Sequence, residues 1–207
     1  MTSDRIWYGA YGSNILRARF LCYLQGGRYL PHHSEHTGAR DSQQPGQFAP
    51  LVHGPWSLLF GLSSDRWGGG VAFLEPHLNE GACVRCWDIT QEQFMDVAAQ
   101  ENGLEPGDIT IDIEEVIHRG EVSIGDSWYS RVVYLGRYRE RPLLTFTSEK
   151  PPEPTSPGEP YLSVILNGFI EAAPEQERAH ISRLLRARGV APTWTCDAIA
   201  QLAKRET

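Results

Sequence analysis

The chain opens with a bulky, strand-like segment that passes directly into a helical repeat. Ile6-Trp7-Tyr8 is rich in β-prone residues, and Leu16, Phe20 and Leu24 then recur at four-residue spacing. We interpret Gly12-Ser13-Asn14, which lies between them, as a tight strand-to-helix turn in which Ser or Asn caps the helix.

Strand signals dominate the middle of the chain. Alternating, β-branched or aromatic runs predict strands at Trp56–Leu62, Gly70–Leu74, Ala82–Ile89, Ile109–Ile117, Trp128–Leu135 and Leu143–Thr147. Because few helices separate these runs, we expect an α+β protein with a small mixed or antiparallel, barrel-like sheet and flanking helices.

Residues 90–103 have the pattern of one amphipathic helix. Thr90 and Gln93 have the spacing of a capping box, which places the helix start at this point. Gly103 is typical of a helix end.

The next position of the apolar stripe on this helix is occupied by a carboxylate. Phe94 and Val97 share one face and the next position of that face is Glu101, whereas Glu92 and Asp96 are predicted to point elsewhere. An inward carboxylate costs several kcal/mol unless it is paired or protonated, and burial raises its pKa toward the range of an acid–base catalyst. The alternative is that the last turn frays and leaves Glu101 in water.

The Gly12-Ser13-Asn14 turn is a candidate binding element. Glycine lets a backbone approach a ligand closely, and the N–H groups at a helix start favour a carboxylate or an oxyanion. An ordinary capped turn is the alternative reading of the same residues.

Two further segments carry little regular pattern. Residues 28–55 are polar and rich in Gly and Pro, and they contain His32, His33 and His36; a loop of this length is typical of a lid, a binding loop or partial disorder. Helical patterns then occupy 174–207, which we interpret as a C-terminal extension.

Composition sets limits on the class of protein. The 207 residues predict one domain over 1–207, and a net charge of −7 argues against nucleic-acid or membrane-surface partners. Because we find neither a signal-like start nor an apolar run of about 18 residues, we expect a cytoplasmic protein.

A metal site is not predicted. Cys83 and Cys86 with the histidines of residues 28–55 could suggest zinc, but residues three apart on a strand point to opposite faces. Tyr134 and Tyr161 are ambiguous, because tyrosines on strands and helices are usually core residues with a satisfied hydroxyl.

Taken in order, these segments resemble the γ-glutamylcyclotransferase family over residues 6–172. The resemblance rests on Ala10-Tyr11-Gly12-Ser13-Asn14, Trp67–Phe73, Cys86–Thr90, Glu101 after Gln100, Tyr134, and Pro160-Tyr161 before a helix. The chain departs from the family at Asn102 and in the segments 28–55 and 174–207, which bears on substrate identity more than on chemistry.

The resemblance implies a small barrel with a central cavity and a reaction. A γ-glutamyl amide, a small-molecule substrate, would cyclise to 5-oxoproline and release its amine, without metal or organic cofactor. Glu101 would be catalytic, and the substrate or oxyanion would be bound by Tyr11, Gly12, Ser13, Asn14, Tyr134 and Tyr161. The alternative is a non-catalytic binding protein for glutamyl or carboxylate ligands on the same fold.

Overall fold

Eight strands and six helices follow one another in this computed structural model, which describes residues 4–31, 33–76, 78, 80–191 and 193–203. The strands are β1 (Arg5–Ala10), β2 (Leu51–His53), β3 (Ser57–Ser64), β4 (Gly69–Glu75), β5 (Cys83–Thr90), β6 (Glu121–Ser123), β7 (Arg131–Tyr138) and β8 (Arg141–Thr147). The helices are α1 (Arg17–Gln25), α2 (Gln91–Glu101), α3 (Ile113–Arg119), α4 (Glu159–Ala172), α5 (Glu177–Arg186) and α6 (Cys196–Leu202). Single 3-10 turns occupy Ser13–Ile15 and Pro174–Gln176.

The chain divides into two compact units, each built from separate stretches of sequence. The first unit comprises Met1–Gly9, Ala18–Pro50 and Cys86–Glu149. The second unit comprises Ala10–Arg17, Leu51–Arg85 and Lys150–Thr207.

The first unit is built on a mixed sheet with the strand order β5-β1-β8-β7-β6. β1 runs parallel to β8, with Trp7 opposite Leu143, whereas β7 is antiparallel to both β8 and β6. Helices α1 and α2 cover one face: the Tyr8 ring lies 5.2 Å from Phe146, 5.6 Å from Phe20 and 5.8 Å from Phe94. This aromatic layer fixes α2 against the sheet.

The second unit is built on the β3–β4 hairpin. The proline-rich segment before α4 runs alongside this hairpin and is hydrogen-bonded to it: Thr155 N–H donates to Phe60 O, and Gly70 N–H donates to Ser156 O. β2 pairs antiparallel with the first three residues of β5. The core of this unit therefore lies between the hairpin and the buried face of α4.

Helix α5 of the second unit contains a fully buried histidine. Arg183 Nη1 donates to His180 Nδ1 at 2.9 Å, so the neutral ring donates from Nε2 to Ala173 O at 3.0 Å. Burial lowers the pKa of His180, and the nearby Arg183 guanidinium also lowers it.

Acidification should therefore destabilise this unit through His180. Below its unfolded pKa of about 6.5 the unfolded chain takes up a proton that the folded chain lacks, so stability is lost as the pH falls from that value to the lower folded pKa. We expect a His180→Gln variant to lose less Tm than wild type between about pH 7.5 and about pH 5. Equal losses in the two proteins would show that His180 does not contribute to the acid sensitivity.

The structure confirms the mixed α+β class and most of the predicted elements. The segment 109–117 is an exception, because a short extended stretch there leads into α3 instead of forming a strand. Asp112 caps this helix by accepting from Glu115 N–H at 3.0 Å, and Gly120 ends it at φ 86°. Ile109, Ile111 and Ile113 are buried at every second position, which explains why the pattern predicts a strand.

In the described residues, no helix has both the length and the apolar character that crossing a membrane requires.

Candidate active site

The turn after β1 belongs to the second unit and is a single 3-10 turn. Ile15 N–H donates to Gly12 O at 3.0 Å and Leu16 N–H donates to Ser13 O at 3.2 Å. Gly12 occupies the N-cap position, so Ser13 and Asn14 lie inside the turn, and the prediction that either caps it is wrong. The first N–H groups of such a turn have no partner within the turn itself.

A buried arginine, Arg85, holds this turn by a hydrogen bond. Arg85 Nη1 donates to Ile15 O at 2.9 Å and to the Glu171 carboxylate at 2.8 Å. Burial lowers the pKa of the Arg85 guanidinium, and the Glu171 carboxylate opposes that effect. The turn is thus fixed to α4 through one charged side chain.

Tyr161, at the start of α4, closes the other side of the turn. Its hydroxyl accepts from Ala72 N–H at 3.2 Å, and its ring lies 5.0 Å from Trp67. A Cβ atom on Gly12 would stand 2.8 Å from this hydroxyl oxygen, closer than real contacts allow. The φ of Gly12 is −101°, which any residue can adopt, so its backbone conformation does not require glycine. Glycine is needed here because the Tyr161 hydroxyl leaves no room for a side chain.

Replacing Gly12 with Ala should displace the turn or Tyr161. Because the Tyr161 side chain is buried and hydrogen-bonded to β4, we expect the turn to move and activity to fall about 100-fold, as for other misplacements of about 1 Å. The measurement is turnover by Gly12→Ala beside wild type, with circular dichroism to confirm that both proteins are folded. Equal activity of Gly12→Ala and wild type would contradict the close-approach argument.

Glu101 lies in the first unit, in the last turn of α2. It is partly buried and comes seven residues after Phe94, so it continues the stripe that packs on the sheet. The helix starts and ends as predicted: Thr90 and Gln93 form the capping box, and Asn102 and Gly103 end it, with Gly103 at φ 71°.

Tyr134 shares the sheet face on which α2 packs. Tyr134 and Tyr8 are both register partners of Leu144, and residues opposite one another on neighbouring strands share a face. A bulge follows directly, between Tyr134 and Gly136, where Gly136 has φ 107°. The first unit therefore carries Glu101 and Tyr134 on the same side of its sheet.

The fully buried carboxylate of α2 is Asp96. It points away from the face of Phe94 and Glu101, as predicted, but it is buried because residues of the long loop cover it. Asp96 accepts from Arg40 N–H, from two guanidinium nitrogens of Arg40 and from Gly107 N–H, at 2.9 to 3.1 Å. Glu92 is half-exposed, as predicted.

A polar stripe on α2 holds part of the long loop. Gln93 donates to Asp41 O and Gln43 O, Asp96 binds Arg40, and Gln100 accepts from Gly38 N–H. Positions 93, 96 and 100 recur at helical spacing, and this periodicity was the available signal for a second contact face. Residues 38–43 are thereby held along α2. His32 lies outside the described residues.

Asn102, where the chain departs from the family pattern, anchors another loop. Its Nδ2 donates to Tyr129 O at 3.1 Å, and its Oδ1 accepts from Tyr129 N–H and from the Ser127 hydroxyl. Asn102 therefore fixes residues 127–129 beside the end of α2, one residue after Glu101.

The candidate metal ligands take other partners. Cys83 and Cys86 are buried thiols on β5, and burial raises the pKa of Cys83 to about 12. His36 accepts from Arg19. Within the described residues, no three His, Cys, Asp or Glu side chains come together as a metal-binding group would.

Comparison with known proteins gives one relative in sequence. It is histone deacetylase 5 of Arabidopsis thaliana, 34% identical over 203 residues. The match covers 86% of this chain but only 30% of that relative. No family model matches the chain.

Solved structures give the fold. A human protein described as uncharacterized protein loc79017 superposes with a TM-score of 0.54 at 16% identity, covering 98% of this chain and 100% of its own. A γ-glutamyl cyclotransferase superposes with a TM-score of 0.50 at 14% identity, covering 97% and 99%. The chain has a γ-glutamylcyclotransferase-like fold. This agrees with the resemblance carried by the motifs.

Proposed function

We propose that the protein is a γ-glutamylcyclotransferase-like enzyme, which cyclises a γ-glutamyl amide to 5-oxoproline and releases the free amine. The observation that carries the proposal is that Glu101, which falls where the resemblance places the family's catalytic glutamate, is a partly buried carboxylate at the end of a helix fixed by its cap and its aromatic layer. The shared fold supports it.

The proposed reaction needs one proton acceptor that also returns the proton. The substrate's α-ammonium group is not nucleophilic until Glu101 removes a proton from it. The amine nitrogen then attacks the γ-carbonyl carbon and a C–N bond forms, giving a tetrahedral oxyanion. When the original amide C–N bond breaks, Glu101 returns this proton to the leaving nitrogen. The ring nitrogen still carries two protons, and Glu101 takes one of them and passes it to the released amine, which leaves as an ammonium ion. The ring nitrogen is then the N–H of 5-oxoproline, and protons and electrons balance without a co-reactant.

The turn that begins at Gly12 supplies the second requirement in this proposal. The N–H groups at its start would donate to the oxyanion, and one such donor is worth about 3 to 4 kcal/mol in comparable sites. We assign Tyr11, Ser13, Asn14, Tyr134 and Tyr161 to substrate binding, as the family resemblance implies. A barrel-like closure of the strands around a central cavity remains a prediction from the family resemblance.

The test is turnover of a panel of γ-glutamyl amides, followed by mass spectrometry of 5-oxoproline. The panel contains γ-glutamyl dipeptides, γ-glutamylamines and N-ε-γ-glutamyl-lysine, with α-glutamyl isomers as controls that cannot close the same ring. We expect 5-oxoproline from at least one γ-glutamyl compound and none from the α-isomers. Tight binding of γ-glutamyl compounds without product would overturn the proposal and indicate a binding protein.

Deacetylation, which the name of the plant relative describes, is not part of this proposal. The chain spans less than a third of that protein, so its activity is not transferred to this chain.

A further inference from the structure

Arg19, on α1, is a charged side chain in the interior of the first unit. Only 1% of its surface is exposed, which makes it one of the largest fully buried side chains in the described residues. A guanidinium stays charged at any physiological pH, and burying it is costly unless an anion compensates the charge. The position therefore calls for a negative partner.

The hydrogen-bond partners of Arg19 are neutral. Its Nη1 donates to His36 Nε2 at 2.7 Å and its Nη2 donates to the Tyr23 hydroxyl at 3.1 Å. Its Cζ also lies 4.6 Å from the centre of the Tyr23 ring. Within the described residues its Nε–H has no hydrogen-bond partner. These contacts orient the guanidinium, but they do not neutralise it.

Glu101 is the carboxylate in the last turn of α2, the helix end that is hydrogen-bonded to Tyr23. Burial by itself would lower the pKa of the guanidinium, but the Tyr23 phenol and the Glu101 charge raise it above the ordinary value. The two helices are also joined directly beside Glu101, because Gln100 Nε2 donates to Tyr23 O at 2.9 Å. Tyr23 thus contacts both Arg19 and the last turn of α2.

His36 connects this cluster to the segment between α1 and β2. Its backbone pairs with Gly27 in both directions, at 2.8 and 3.0 Å, and its ring lies 4.1 Å from the Tyr23 ring. Because arginine only donates hydrogen bonds, His36 Nε2 must be the acceptor and its proton lies on Nδ1. The segment between α1 and β2 therefore supplies one hydrogen-bond acceptor to Arg19.

We propose that Arg19 is a positioning residue for Glu101: the buried guanidinium, held by Tyr23 and His36, is the charge partner that keeps this carboxylate in place. The inference rests on the proposed function, since it assigns a role relative to the proton acceptor. It adds a residue that does not contact the reacting atoms.

The kinetic test compares Arg19→Lys with Arg19→Met. Lys keeps the charge but loses the forked geometry, whereas Met keeps most of the bulk without charge. We expect Arg19→Met to lower kcat about 10- to 100-fold with KM nearly unchanged, and Arg19→Lys to retain a clearly larger share of kcat. Arg28→Met, at a surface position of the same unit, is the control and should match wild type. Equal kcat losses in the Lys and Met variants would overturn the role of the charge.

The second test does not depend on turnover. If Glu101 compensates the buried guanidinium, Glu101→Gln lowers Tm by several degrees in wild type but by less in the Arg19→Met background. Additive Tm changes would overturn the pairing, and if Arg19→Met does not fold, an unchanged Tm for Glu101→Gln alone would do so. Absence of 5-oxoproline with wild type would instead contradict the proposed function, while non-additive Tm changes would still establish the pair.

Discussion

Glu101→Gln should abolish 5-oxoproline formation while the protein stays folded. The amide has nearly the shape of the carboxylate but cannot take a proton from the substrate ammonium group, so we expect a loss of about 100- to 10,000-fold, the usual worth of a positioned proton acceptor. The measurement is kcat/KM on the best γ-glutamyl amide, with near-UV circular dichroism to confirm native packing.

The matched control for Glu101→Gln is Glu92→Gln. Glu92 lies on the same helix and undergoes the same chemical change, but its half-exposed side chain pairs with Arg40 at 3.4 Å. We expect full activity from this control. A folded Glu101→Gln protein with wild-type activity would rule out Glu101 as the proton acceptor.

Local signals in the sequence were sufficient where short-range chemistry decides the structure. The capping box of Thr90 and Gln93 forms with both of its hydrogen bonds, and the strand-to-helix turn after β1 lies where the pattern puts it. Both features depend on residues within four positions of each other, so the information that specifies them is contiguous.

Sequence reasoning fell short where distant segments determine which face is buried. Asp96 lies on the polar side of an amphipathic helix, where the sequence pattern predicts exposure to solvent. In the structure, residues 38–43 cover this side of α2 and supply hydrogen-bond partners to its polar side chains. The alternation of apolar and polar residues from Ile109 to Ile113 likewise indicates burial of every second side chain, but not pairing with another strand. The extended stretch before α3 joins no sheet in the described structure.

The candidate site shows the same division. Glu101 and Gly12 could be identified as candidates from the residues next to them in sequence. The residues that shape their surroundings are far from them in sequence. The hydroxyl of Tyr161 leaves no room for a side chain at Gly12. The buried guanidinium of Arg19 is the charge that we propose as the partner of Glu101. A buried arginine has no pattern of its own, since Arg17 and Arg19 look alike in sequence and only packing separates them.

Asp96→Ala should strongly destabilise the protein. It removes a fully buried carboxylate that accepts from two backbone N–H groups and from the Arg40 guanidinium. Because Gly107 N–H and Arg40 N–H would lose a charged acceptor, we expect a loss of about 3 kcal/mol in the free energy of unfolding. This corresponds to a fall in Tm of about 6 to 12 °C for a chain of this length.

The comparison that isolates burial uses the same arginine. Glu92 also pairs with Arg40, but half of its side chain is exposed, so Glu92→Gln should change the free energy of unfolding by less than about 1 kcal/mol. Because Arg40 anchors the loop to α2 through Asp96, the Asp96→Ala protein should also be cut faster by protease within residues 38–46. Similar Tm values for the two variants would mean that the loop is held by other contacts and that the Asp96 pair contributes little.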